Sequence, residues 1–108
     1  MTKHIYCDVV IAGCGVAGLY TALNLPEDLH VLMICKEDMD TCDSMLAQGG
    51  ICVLRGEDDY EPYFEDTMRA GHYENRKESV DLMIRTSPGI IRHLLELGVG
   101  LTRTRMVV

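Results

Sequence analysis

Six residues near the start of the chain, Gly13-Cys14-Gly15-Val16-Ala17-Gly18, narrow its folding options more than any other stretch. Glycines at this spacing allow a sharp turn, a close approach of main chain and tight packing of whatever follows. The flanking residues decide which structure uses that freedom. Ile5 to Ala12 is a short, continuous apolar run rich in β-branched residues, as expected of a parallel strand covered on both faces. From Val16 to Leu25 the apolar residues Val16, Leu19 and Leu23 share one helical face, with Ala17 and Ala22 beside them, and Pro26 ends the pattern. After the turn Pro26-Glu27-Asp28, Leu29 to Cys35 is a second short apolar run. The first 35 residues therefore predict strand, helix, strand. Because such crossovers are right-handed, both strands should lie parallel in one sheet with the helix across a face.

A Gly-x-Gly-x-x-Gly between the strand and helix of a βαβ unit is the fingerprint of a Rossmann-type dinucleotide site. Gly13 turns the chain at the end of the strand, Gly15 lets main chain approach a pyrophosphate, and Gly18 lets helix and strand pack closely. Amides at the start of the helix then point at the phosphates, helped by the positive end of the helix dipole. The fingerprint also expects an acid about 20 residues on, at the end of the second strand, to hold ribose hydroxyls. Cys35-Lys36-Glu37 stands there. Either Glu37 serves one or two places late, or the acid is absent and Lys36 approaches the adenosine end. These residues leave both options open and do not separate FAD from NAD.

Further along, Lys36 to Asp43 is polar and acidic and leads into Ser44-Met45-Leu46-Ala47-Gln48-Gly49-Gly50, expected as a loop or short helix that comes close to a ligand. Ile51 to Leu54 reads as a short strand, and Arg55 to Asp59 as a solvated turn. Tyr60 to Ala70 and Asn75 to Leu97 have helical spacing, the latter with Val80, Met83, Ile84, Ile90, Ile91, Leu94 and Leu95 as its apolar positions. Pro88 is expected to divide the second stretch into two helices, with Ser87 as cap. Gly98 is a stop signal, and Leu101 to Val108 has no clear pattern.

A length of 108 residues fits one domain, and 47% hydrophobic residues is a globular value. Ten Lys and Arg against seventeen Asp and Glu give a net charge of -7, which repels phosphate backbones and disfavours a nucleic-acid partner. The apolar run Val9 to Ala12 is far shorter than a signal core or membrane span, so no membrane partner and a cytoplasmic location are expected. Cys7, Cys14, Cys35, Cys42 and Cys52 are an odd set without a Cys-x-x-Cys pair. That argues against a disulfide framework or a metal site, and predicts reduced, mostly buried thiols.

The fingerprint followed by Ser-x-x-Ala-Gln-Gly-Gly is more specific than either part. Cys7 to Gly18, Asp43 to Ile51 and Glu65-Asp66-Thr67-Met68-Arg69-Ala70-Gly71 resemble the N-terminal part of the succinate dehydrogenase and fumarate reductase flavoprotein family. With Ile90 to Val99, the resemblance covers roughly residues 5 to 99. It implies an α/β fold: a Rossmann-like FAD-binding βαβ unit followed by helices, an incomplete domain. Residues 1–108 would be the first part of the FAD-binding domain, without the capping and C-terminal domains. It also implies that Gly13, Cys14, Gly15, Val16, Ala17 and Gly18 contact the FAD pyrophosphate and that Lys36 lies near the adenosine. Asp43, Ser44, Met45, Leu46, Ala47, Gln48, Gly49 and Gly50 would run along the ribityl and isoalloxazine portion. Asp43 and Ser44 also suit a helix cap, and the two roles are compatible.

Two positions set the chain apart from the respiratory members of that family. Those carry a histidine that bonds covalently to FAD where this chain has Asp43, and a carboxylate cannot form that link, so FAD should be held non-covalently. Lys36 matches a lysine common in a non-respiratory branch that oxidises a small amino dicarboxylate. Cys14 and Tyr63 depart from the residues usual at their positions. In the family a hydride passes from a small dicarboxylate to the flavin, with arginines and histidines of later segments clamping the carboxylates. No catalytic residue is therefore expected here, and His4, His30, His72 and His93 are read as surface or partly buried. A two-stranded unit cannot cover FAD and leaves open sheet edges, so a fragment is expected whose edges self-associate. A respiratory flavoprotein fragment and a small non-catalytic nucleotide-binding module are the alternatives.

Overall fold

Val9–Ala12 forms strand β1 and Val31–Ile34 forms strand β2. They pair in parallel, with Val9 opposite Val31 and Ala12 opposite Ile34. Helix α1, Val16–Leu23, makes the crossover, so the expected βαβ order holds. In this computed structural model residues 1–102 are described. They divide into a unit spanning Met1–Gly49 and a second unit from Gly50 onward.

Both strands are shorter than their apolar runs. Backbone groups stay extended only where a neighbour completes their hydrogen bonds, and among the described residues the sheet has two strands. At the N-terminal end of β1 the Asp8 amide donates to the His30 carbonyl at 2.9 Å, and the Asp8 carboxylate accepts the His30 amide at 2.8 Å. Beyond that point Ile5 and Tyr6 are exposed. The expectation of a sheet covered on both faces fails: β1 alternates between half-buried and exposed, and Val10 faces out.

The orientation of α1 also differs from the sequence pattern. Val16, Leu19 and Leu23 are exposed, whereas Gly18 and Ala22 are half-buried. A Cβ at Gly18 would lie 2.0 Å from the Gly13 carbonyl oxygen and 3.3 Å from Cγ2 of Ile11. The helix docks through its smallest residues, and that close approach turns the larger ones away from the strand.

A 3₁₀ turn at Met39–Thr41 and the short helix α2, Asp43–Leu46, complete the first unit. The second is built on helices α3, Tyr60–Ala70, and α4, Lys77–Glu96. Met68, Val80 and Ile84 are buried between them, with Leu54, Tyr60, Tyr63 and Phe64 packed around. Tyr60 donates to Asp81, and the Arg85 guanidinium lies 4.1 Å over the Tyr60 ring. Of the other apolar positions expected on α4, Met83, Ile90 and Leu95 are exposed.

Two expectations in this unit are corrected. Ile51 to Leu54 is not a strand, having no strand neighbour to pair with among the described residues. Pro88 does not divide the second helical stretch, and α4 runs through it. A proline removes the amide that would satisfy the carbonyl four residues back, which here belongs to Ile84. The Ser87 hydroxyl supplies the missing donor, reaching the Ile84 carbonyl at 2.7 Å, while accepting the Leu54 amide at 2.9 Å. Gly98 ends α4 as expected, at φ +90°, with Val99 donating to Leu94 and Gly98 to Leu95 in a Schellman motif. The final six residues of the patternless stretch Leu101 to Val108 lie outside the described residues.

Candidate functional site

At the C-terminal ends of β1 and β2 a cleft of about 400 Å³ opens, lined by Gly13 to Gly15 on one side and Cys35 to Asp38 on the other, with Thr41 to Ser44 closing it. Open α/β sheets place ligands at this end, and the volume falls within the range of about 300–1,000 Å³ usual for small-molecule sites. Gly13 makes the turn out of β1 at φ +116°, a region closed to most side chains, while its amide donates to the Ile34 carbonyl at 2.8 Å. The glycine loop is thereby tied to the end of the neighbouring strand.

Six of the residues predicted for the site, Gly13, Cys14, Gly15, Lys36, Asp43 and Ser44, line this one cleft. Glu37 lines it as well, so both candidates for the adenosine end are present, 3.9 Å apart as an exposed ion pair worth little by itself. Val16, Ala17 and Gly18 form the first turn of α1, whose opening amides have no partner inside the helix. Met45 and Leu46 continue α2 with exposed side chains, Ala47 to Gly49 follow as loop, and Gly49 takes φ +152°. Gly50 begins the second unit.

Ser44 has a role that local reasoning missed. Its hydroxyl accepts the Val16 amide at 3.0 Å, capping α1 from 28 residues away and not its own short helix. The same oxygen sits 3.0 Å from where a Cβ at Gly15 would be, so the missing side chain at Gly15 also makes room for this cap. No spacing rule links positions 16 and 44, and only the folded loop brings them together.

The cysteines depart from the expectation of reduced, mostly buried thiols. Cys14 and Cys35 form a disulfide, with Cα atoms 5.6 Å apart. Cys7 and Cys42 are half-buried free thiols and Cys52 is exposed, so the set is neither fully reduced nor mostly buried. Counting cysteines could not reveal this pair. The parallel register sets Ala12 beside Ile34, which brings the residues just beyond the two strand ends within disulfide reach.

Residues 8–107 match the family of FAD binding domains. The chain belongs to the FAD-binding domain family. Within this family it is 50% identical over 91 residues to the L-aspartate oxidase of Clostridium perfringens, a match covering 84% of the chain and 21% of that relative. It is 43% identical over 95 residues to the L-aspartate oxidase of Clostridium acetobutylicum, covering 88% and 22%. To the L-aspartate oxidase of Pseudomonas aeruginosa it is 38% identical over 104 residues, covering 95% and 19%. The chain thus spans about a fifth of the length of these relatives. No solved structure matches it.

The cleft residues fit part of the family's cofactor. The glycine turn leaves main chain uncovered, and the start of α1 offers an anion the positive end of a helix dipole. Lys36, whose side chain is largely exposed, adds a positive charge at the rim beside the Glu37 carboxylate. These features suit two linked phosphates and the adenosine beside them.

Proposed function

We propose that this chain is the N-terminal FAD-binding portion of a flavin-dependent L-aspartate oxidase. The whole protein would convert L-aspartate to iminoaspartate with oxygen or fumarate as acceptor, the first step of de novo NAD synthesis. The observation that carries the reading is the cleft itself: the Gly13–Gly15 turn, Lys36 and the Asp43–Ser44 pair line it together at the strand ends, and they do so in a chain 50% identical over 91 residues to one L-aspartate oxidase. Gly13 to Gly18 would hold the pyrophosphate, Lys36 would lie by the adenosine, and Asp43 to Gly50 would extend toward the ribityl chain and the ring. When bound, FAD supplies a two-electron acceptor. The residues present bind and orient it, and the dicarboxylate clamp would come from the remainder of a full-length protein.

Asp43 lines the cleft with a carboxylate, which cannot attach a flavin covalently, so the cofactor would be held by contacts alone. The exposed apolar face of α1 and the open edges of the β1–β2 sheet would be covered by later parts of the same polypeptide, or by a second copy where those parts are missing. Among the described residues no helix is long and apolar enough to cross a membrane; a cytoplasmic location is part of the proposed reading. The test is the visible spectrum of the purified full-length gene product, together with its turnover of L-aspartate. Yellow absorption released into the supernatant by acid, with peroxide formed from oxygen or succinate from fumarate, is the expected result. Colour retained on the pellet, or oxidation of succinate in place of L-aspartate, would favour a respiratory flavoprotein and overturn the proposal.

A further inference from the structure

We propose that Cys14 and Cys35 form a thiol–disulfide site that sets how tightly the cleft holds a dinucleotide; this rests on the reading of the cleft given above. Cys14 lies between the first two glycines of the turn, and Cys35 is the first residue beyond β2, next to Lys36. The bond therefore joins the two walls of the cleft. Cys14 is the only buried apolar residue of the first unit among the described residues, so the covalent link stands where a packed core would otherwise hold the turn. Besides it, the turn is held by the Gly13 amide on the Ile34 carbonyl, the Val16 amide on Ser44, the Leu19 amide on the Gly15 carbonyl and a weak bond from the Cys42 thiol to the Cys14 carbonyl. Opening the link leaves a glycine-rich segment held by hydrogen bonds alone, freer to sample shapes that do not fit a diphosphate. Closing it fixes the shape in advance, and a site already in its bound shape loses less freedom on binding.

Oxidation removes one proton and one electron from each thiol and forms one S–S bond. The electrons pass to hydrogen peroxide, giving two waters, or to a small disulfide such as oxidised glutathione, giving two thiols. A dithiol of low potential reverses the step. Cys42 lines the same cleft, its sulfur 3.9 Å from the Cys14 carbonyl oxygen, and is a free thiol placed beside the pair. Were the whole enzyme cytoplasmic as proposed above, a transient, redox-sensing bond would suit it better than a permanent framework.

The experiment uses the full-length gene product stripped of flavin and divided into a sample treated with oxidised glutathione and one treated with dithiothreitol. Differential alkylation and peptide mass mapping report the pairing, and titration with FAD, followed by flavin fluorescence, reports affinity. The expected result is a Cys14–Cys35 peptide in the oxidised sample alone, and FAD bound roughly tenfold more tightly there than in the reduced sample. Cys35→Ser should bind like the reduced protein under both treatments, whereas Cys42→Ser should keep the difference. Equal affinities, tighter binding on reduction, or a pair that includes Cys42 would overturn the switch alone. Failure of both samples to bind FAD would overturn the reading of the cleft and the switch with it.

Discussion

Replacing Gly18 by alanine sets two physical effects against each other. In a helix interior alanine is favoured over glycine by up to about 1 kcal/mol, so propensity alone predicts stabilisation. The added methyl, however, would lie 2.0 Å from the Gly13 carbonyl oxygen and 3.1 Å from its carbonyl carbon. A relaxed carbon–oxygen contact is about 3.3 Å, so α1 would have to move away from the turn by roughly 1 Å. The obstacle is main chain, with no side chain to swing aside, which places the cost at or above the upper end of the 1–3 kcal/mol typical of overpacking. The net loss is about 2 kcal/mol. It falls on the turn proposed to grip the pyrophosphate, and a loss of that size expressed in binding weakens FAD by roughly 30-fold. FAD titration and thermal unfolding of the full-length Gly18→Ala protein measure both consequences. Binding within threefold of the parent, together with an unchanged or higher melting temperature, would refute the argument that this close approach governs the site.

Gly89 is the matched control. It is an exposed residue within α4 with nothing within 4 Å of an added Cβ, so Gly89→Ala should raise stability by up to about 1 kcal/mol in chemical denaturation and leave FAD affinity unchanged. Ser87→Ala should destabilise the α3–α4 pair by about 1–3 kcal/mol, because the Ile84 carbonyl and the Leu54 amide lose their partner together; faster hydrogen exchange around residue 84 is the readout. The hydroxyl of Tyr60 and the guanidinium of Arg85 hold the Asp81 carboxyl below its ordinary value of 3.8, and the same Asp81 holds the Tyr60 phenol above 10.0. A lowered carboxyl stabilises above its unfolded value, and that contribution is lost as pH falls through the lower folded one. A raised phenol stabilises below its unfolded value, and its contribution is lost as pH rises through the higher folded one. The urea midpoint should accordingly fall below pH 4 and again above pH 10, and Tyr60→Phe should lessen the alkaline fall, the Tyr63 phenol raised by burial and the Tyr73 phenol raised by Glu65 supplying the rest. An identical alkaline limb in that variant would remove Tyr60 as its source.

The amino-acid order by itself determined the βαβ unit, the helix Tyr60–Ala70 and the stop at Gly98, because each follows from local periodicity and from backbone conformations that few residues tolerate. It also carried the glycine turn and the Ala-Gln-Gly-Gly stretch on which membership of the FAD-binding family was anticipated. Which side of α1 meets the sheet was not legible, because the hydrophobic pattern selected Val16, Leu19 and Leu23 while a close main-chain contact at Gly18 selected the opposite side. At Pro88 the local signal is to break a helix, and the Ser87 hydroxyl that compensates on the Ile84 carbonyl is itself held by the Leu54 amide, from 33 residues away. The Cys14–Cys35 bond and the Ser44 cap on α1 likewise join positions 21 and 28 residues apart. The parallel register of two short strands brings the two cysteines within bonding distance, and the loop folded back after the second strand brings Ser44 to α1, since hydrogen bonds and disulfides form by proximity in space.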